Sequence, residues 1–408
     1  MPKLANKYNC SGCLSCVDSC NTGALYSRWN EEGHLTYGFV ADKCVECHRC
    51  ERNCPAVNGY VHGSNELNLS TPYAAWCEDG TLRKRSTSGG VFAALAVTVL
   101  RKGGVVVGAS MRNNEIKHTI IDKEEDLHLL QGSKYAQSDT TGTYRQVYEY
   151  LMKDRYVLFS GLGCQVAGLL NYLPSNKQYD KLFTIDLICG GIPSRALITK
   201  YLEHEKETVM EIKTFRNKEE YELTVMTNEG VSRVVPLSTR PLPLCGFYTE
   251  LTNKLICYKC KYVGAHRKSD ITIGDLWGDN DFPDEHKKGL SVVVTHSKKI
   301  EHLLKESPIE YHIIPWKGFL MNNPRMVYGN NILENSRERR LLNKIHTMEY
   351  QDILETFANA ANVDNPVSFL KKIIRFIKIK YNHQLALLAV KKILLKYENR
   401  INNILLFL

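Results

Sequence analysis

Between about residues 73 and 315, short β-branched runs alternate with stretches of helical period, the pattern that a parallel sheet with crossover connections requires. The runs 105–107, 156–159, 183–188, 271–273 and 292–295 are expected strands. Val91–Arg101 reads as an apolar helix with few breakers, and Gly103-Gly104 then introduces the strand at 105. Within this body two alternating stretches at 221–235 flank Asn228-Glu-Gly230, which predicts an antiparallel hairpin with glycine in its turn. Beyond Trp316 the chain turns helical, with Phe369, Ile373, Phe376 and Ile377 at helical spacing. A polar stretch, His62-Gly-Ser-Asn-Glu-Leu-Asn-Leu-Ser-Thr-Pro72, has linker composition and sets the first boundary. The expected organisation is a separate region at 1–62, an α/β body in two halves at 73–155 and 156–320, and a helical tail at 321–408.

At 408 residues the chain suits two or three domains, and its 43% apolar and 24% charged content is that of a globular protein. The net charge is +9, but residues 367–408 carry nine basic side chains against Glu398 alone, so everything before them is close to neutral. The basic balance is therefore local, and it gives no support to a nucleic-acid groove on the body. The tail has the charge and period of a segment lying on an anionic membrane surface, or of a helical hairpin packed on the body with its lysines facing water. Its longest apolar run, 385–390, is far short of a membrane span. Met1-Pro-Lys-Leu-Ala-Asn-Lys leads to Cys10 without the apolar core of a secretory signal, so a cytoplasmic location is expected. In that setting fourteen cysteines point to metal or redox chemistry and not to disulfides.

Their spacing decides between the two. Cys10-x2-Cys13-x2-Cys16-x3-Cys20 is followed by Cys44-x2-Cys47-x2-Cys50-x3-Cys54-Pro55, the bacterial ferredoxin run given twice. Three closely spaced thiolates wrap one cubane and the fourth ligates the other, so Cys10, Cys13, Cys16 and Cys54 form one expected [4Fe–4S] set and Cys20, Cys44, Cys47 and Cys50 the second. Asn21 replaces the usual proline of the first run; proline is not a ligand, so the cluster is not in question. Structural zinc also uses four cysteines, but does not need three in succession followed by a fourth. Of the remaining six, Cys164 and Cys189 each follow an expected strand and Cys257-x2-Cys260 is half a metal site. Post-strand turns gather at the carboxyl edge of a parallel sheet, where a third cluster fits; ordinary buried cysteines are the alternative. Cys77 and Cys245 read as structural.

Ser86-Thr-Ser-Gly-Gly90 opens the helix at 91, and its free backbone N–H groups would suit a phosphate, although a plain N-cap has the same sequence. Gly132-Ser-Lys-Tyr-Ala-Gln-Ser138 adds a lysine, a ring and two hydroxyls, or is a solvated loop. No Gly-x-Gly-x-x-Gly follows a strand, which leaves a standard Rossmann site unsupported.

Taken in order, these motifs resemble the coenzyme F420 hydrogenase/dehydrogenase beta-subunit family from Cys10 to about Pro315. The resemblance is carried by the doubled cysteine run, Thr87-Ser-Gly-Gly90, Gln131-Gly-Ser-Lys-Tyr135 with Ser138, Gly161-x-Gly-Cys164-Gln165, Asp186-x-x-Cys189-Gly-Gly191 with Pro193-Ser194, Cys257-x2-Cys260, and Ser269-Asp-Ile-Thr-Ile-Gly-Asp275 with Trp277-Gly278. Leu162-Gly163 stands where relatives often have Thr-Pro. The resemblance implies FAD gripped by Ser88, Gly89, Gly90, Lys134 and Ser138, with a third [4Fe–4S] cluster from Cys164, Cys189, Cys257 and Cys260 nearby. It further implies an oxidoreductase relaying electrons between an external carrier such as a ferredoxin and an unidentified organic compound, in many similar bacterial chains within surface-polysaccharide synthesis. An alternative is a relay subunit of a larger redox complex with no substrate of its own. Asp186, Asp275 and Lys134 are proton-donor candidates by location only, so no catalytic residue is assigned.

Overall fold

The computed structural model describes residues 2–59, 70–218, 220–265, 267–278, 281–327 and 336–358. The basic tail at 367–408 and most of the 62–72 linker lie outside the described residues. The body is built on an eight-stranded mixed sheet with order β13-β3-β12-β11-β7-β6-β4-β5. Those strands are β3 (Pro72–Cys77), β4 (Val105–Arg112), β5 (Glu115–Ile121), β6 (Val157–Leu162), β7 (Leu182–Leu187), β11 (Ile271–Asp275), β12 (Ser291–Thr295) and β13 (Ile309–Ile313). The central four, β4, β6, β7 and β11, are parallel, and antiparallel strands flank them on both sides. The segments expected as two halves of the body thus both contribute to one sheet, with β3 of the first half among strands of the second.

Side-chain alternation sends neighbouring residues to opposite faces. Val106, Leu158, Phe183 and Ile185 face a core covered by the Val91–Arg101 helix, whereas Val105, Val107, Val157, Phe159 and Leu182 face one shared with the helices Thr143–Met152 and Gly163–Tyr172. Strands apolar on both sides are what a doubly covered parallel sheet needs. The Val91–Arg101 helix is buried almost all round, so its stability comes from packing; Leu95→Ala would cost about 2–5 kcal/mol.

The expected hairpin at 221–235 is present as β9 (Glu222–Thr227) and β10 (Ser232–Pro236), with Gly230 at φ 77° in the turn. It joins β8 (Val209–Thr214) in a separate three-stranded sheet. The N-terminal region pairs β1 (Leu25–Trp29) with β2 (Leu35–Phe39) between two short helical turns, Ser15–Asp18 and Arg49–Arg52.

Buried polar contacts seat this region on the body. The Asp18 carboxylate accepts from the Gly142 and Tyr144 N–H groups at 2.6 and 2.9 Å, capping the Thr143–Met152 helix from outside. Tyr144 Oη and Thr140 Oγ1 donate to the Cys13 carbonyl at 2.7 and 2.8 Å, and Gln137 donates to the Ser11 and Gly12 carbonyls. Lys254 donates to Leu35 O, and Arg339 pairs with Glu32 at 2.8 Å. Among the described residues no helix is long and apolar enough to cross a membrane.

Candidate functional site

The two cysteine runs share one backbone device. In each, the residues on either side of the second cysteine have positive φ: Gly12 (68°) and Leu14 (59°) around Cys13, Glu46 (51°) and His48 (55°) around Cys47. For leucine, glutamate and histidine this conformation costs roughly 1–2 kcal/mol each, a strain that persists where function demands it. It curls the chain so that N–H groups meet sulfur: Ser15 toward Cys13, Glu51 toward Cys50, Ala56, Val57 and Ala5 toward Cys54, and Leu25, Thr22 and Ala24 toward Cys20. Cys10, Cys13, Cys16 and Cys54 surround one void and Cys20, Cys44, Cys47 and Cys50 another, the grouping expected from the crossed-ligand rule.

Burial pushes the Cys13 thiol up to about 12 and raises Cys16, because a desolvated thiolate needs a cation beside it. Iron supplies that charge, so the donor set fits clusters. Among the described residues no three Cys, His, Asp or Glu side chains converge on a single-ion site. Thiolates on separate irons of a cubane stand further apart than the four that meet one zinc ion.

Cys164 follows β6 at the start of the Gly163–Tyr172 helix, and Cys189 follows β7, which pairs with β6 up to Leu162 and Leu187. The carboxyl edge therefore brings them together, and the Leu255–Tyr258 turn adds Cys257 and, just beyond, Cys260. Each of Cys189, Cys257 and Cys260 raises the Cys164 pKa beyond what burial does, so all four lie within electrostatic reach. Here too N–H groups aim at sulfur: Gly191 toward Cys189 at 3.3 Å and Tyr262 toward Cys260 at 3.4 Å. Cys77 and Cys245 are buried apart from these sets, Cys77 on β3 and Cys245 in the Leu242–Thr249 helix.

Beside this third set lies a cavity of about 470 Å³, and Cys189, Gly190 and Gly191 form part of its wall. Its lining brings together the expected Ser88, Gly90, Lys134 and Ser138. Gly90, at φ 82°, stands at the N-terminus of the eleven-residue Val91–Arg101 helix, which no side chain caps and which opens on the cavity through Val91 and Phe92. Those free N–H groups and the helix dipole fit a phosphate. Enclosure brings the Lys134 ammonium down to about 7. Tyr135 and Phe247 stack 3.9 Å apart across the wall, with Tyr221 and Trp277 beside them. A mostly apolar, aromatic cavity with a phosphate cradle fits a flavin dinucleotide.

Other expected residues have different places. Gly89 does not line the cavity; a Cβ there would lie 2.5 Å from Ala75 O and 2.7 Å from Ser291 N, so this glycine lets the loop lie directly against the paired residues Ala75 and Ser291 of β3 and β12. Asp186 pairs with buried Arg267 at 3.1 Å away from the cavity, while Asp275 lines it, paired with Arg216 at 2.6 Å. Ser138 Oγ contacts His118 Nδ1 at 2.8 Å and accepts from Gln165 at 3.1 Å, and His118 Nε2 meets Ser160 O at 3.0 Å. With Nε2 donating to that carbonyl, Nδ1 takes the Ser138 proton, so Ser138 has no hydrogen left for a phosphate. Burial lowers His118 to about 4 and keeps it neutral. His118 was not singled out from sequence; the signal was Asn113-Asn114, both at positive φ, a two-residue turn joining β4 to β5.

Residues 72–143 match the model of the coenzyme F420 hydrogenase/dehydrogenase beta subunit N-terminus and 154–313 that of its C-terminus, together more than half of the chain. Residues 9–58 match a 4Fe-4S dicluster domain. Among solved structures a chain of the F420-reducing [NiFe] hydrogenase complex from Methanosarcina barkeri is similar, with 19% identity over 72% of this chain and 93% of that one and a TM-score of 0.42. No curated protein matches. On the two family matches and the dicluster motif that precedes them, the chain belongs to the coenzyme F420 hydrogenase/dehydrogenase beta-subunit family.

Proposed function

We propose that this chain is an FAD-dependent iron–sulfur oxidoreductase in which two N-terminal [4Fe–4S] centres and a third, held by Cys164, Cys189, Cys257 and Cys260, carry electrons between an external carrier such as a ferredoxin and the cavity. The carrying observation is the sequence of cysteine sets from surface to cavity. Cys47 is exposed, and Cys16 lies within electrostatic reach of Cys50 in that outer set. Cys13 abuts the Gly163–Tyr172 helix that carries Cys164 in its first turn, and Cys189 belongs at once to the third set and to the cavity wall.

FAD, when bound, converts single-electron transfer into two-electron hydride chemistry. The chain's own residues do the positioning. The Gly90 turn and the Val91–Arg101 N-terminus would hold the diphosphate, Lys134, whose Nζ donates to Gln131 O at 2.7 Å, would add charge there, and Tyr135, Phe247 and Trp277 would offer apolar faces that exclude water. Asp275, paired with Arg216, and Glu250, paired with Arg325, are the carboxylates on the cavity wall, and no proton donor is assigned among them. The substrate class is the one implied by the resemblance, a conjugated carbonyl or ring compound, with surface-polysaccharide synthesis as the setting. The deciding experiment is turnover by the isolated chain with an artificial reductant and a panel of such compounds. Reduction of none, together with tight association with a separate catalytic subunit, would support the relay-subunit reading instead.

A further inference from the structure

We infer that Arg267 and Arg325 clamp the Cys189 turn between two guanidinium groups and thereby raise the reduction potential of the third centre, making it the acceptor through which electrons reach the cavity. This rests on the three-centre reading above. A carbonyl two residues before Cys189 and one just after it each receive one arginine: Arg267 Nη1 donates to Leu187 O at 3.2 Å, and Arg325 Nη2 donates to Gly190 O at 2.9 Å. Both side chains are withdrawn from water, at 3% and 11% exposure. Arg267 is fixed further by Gly264 O and Met326 O, which also ties the segment bearing Arg325 to the chain just beyond Cys260.

Burial works against reduction here. Cys164 and Cys257 are buried and Cys189 and Cys260 half-buried, and a centre that gains an electron there gains a negative charge that is poorly solvated. On burial alone the third centre would sit below the exposed outer one, and electrons would stall before the cavity. Cationic neighbours offset this, and the two guanidinium groups bracket the Cys189 turn through Leu187 O and Gly190 O. The two guanidiniums are not equivalent. Asp186, fully buried 3.1 Å from Arg267, cancels much of that charge, whereas Glu250 at 3.2 Å from Arg325 is partly solvated and screened. Arg325 is therefore the more effective cation. It lies beyond residue 313, where the family match ends, so the sequence motifs do not include it.

The test is an anaerobic redox titration followed by EPR on the full-length holoprotein, with iron counted beforehand. The reduction is one electron, supplied by dithionite through mediators. Arg325→Gln should shift the oxidised-to-reduced ratio of one centre at least tenfold toward oxidised at fixed potential, about 59 mV for one electron, while the other two stay unchanged. Glu250→Gln leaves Arg325 uncancelled and should shift the same centre the opposite way. Arg325→Lys keeps the charge and should stay near wild type. If Arg325→Gln does not fold, the other two variants carry the test. Unchanged potentials in Arg325→Gln and Glu250→Gln, or Arg325→Lys behaving like Arg325→Gln, overturn the inference. About eight irons in the wild type would instead remove the third centre itself, an outcome that the iron count separates from a failed clamp.

Discussion

Gly168 stands in the middle of the Gly163–Tyr172 helix, where alanine would ordinarily add about 1 kcal/mol of stability through helix propensity. Here the sign should reverse. A Cβ at Gly168 would lie 2.9 Å from Tyr144 Oη, 3.0 Å from Cys13 Cβ and 3.1 Å from Cys13 Sγ. Neither neighbour can withdraw freely, since Tyr144 donates to the Cys13 and Gln165 carbonyls and Cys13 is held by the cysteine run around it. Overpacking of this sort costs about 1–3 kcal/mol, so Gly168→Ala should be destabilised by up to about 2 kcal/mol net. In a chain of this size that lowers Tm by a few degrees at most. The displacement falls on Cys13, so stopped-flow reduction of the body by an N-terminal electron donor should slow more than stability falls. Calorimetry on the anaerobic holoprotein reads the first effect and flavin bleaching the second. A Gly168→Ala protein that melts higher and reduces its flavin at the wild-type rate would refute the docking geometry.

Three further outcomes are expected. Gly90→Val strains a φ of 82° and drives a side chain against Arg83 Cα and Cys77 Cβ, each 3.1 Å from where the new Cβ would stand, so it should abolish co-purifying flavin while iron content holds. Cys257→Ser should remove one four-iron centre and leave the N-terminal pair, seen as the loss of about a third of the iron with the remaining EPR signals unaltered. FAD affinity should fall as pH rises above about 7: the free Lys134 is charged below that value and must take up a proton to meet a phosphate above it. Titration calorimetry between pH 6 and 9 should show that slope in the wild type and not in Lys134→Met.

The cysteine sets were legible because their spacing is local and their geometry follows from it. The convergence of Cys164 and Cys189 was legible for a different reason: residues after adjacent parallel strands must meet at one edge. What sequence could not give were contacts between distant segments. Gly89 looked like part of a phosphate loop, yet its small size serves close packing of that loop against β3 and β12, two paired strands far apart in the chain. Asp186 looked available at a strand end until Arg267 was placed beside it. Strand β3 begins with proline and continues Tyr-Ala-Ala-Trp-Cys, without the β-branched residues that mark strands; tertiary pairing with β12 and β13 makes it one. Ser138 was expected only as one of the residues gripping FAD, and nothing in the sequence pointed to His118, on an unexpected strand, as the partner that takes its hydrogen.

The central claim is that three four-iron centres lead to a flavin in one chain, and its most direct test is chemical composition. After anaerobic purification, iron, acid-labile sulfide and extracted flavin are counted per polypeptide, with the absorption spectrum as a check. The account requires about twelve irons, about as many sulfides and one FAD. Iron near eight with no flavin, or zinc in place of iron, would contradict it.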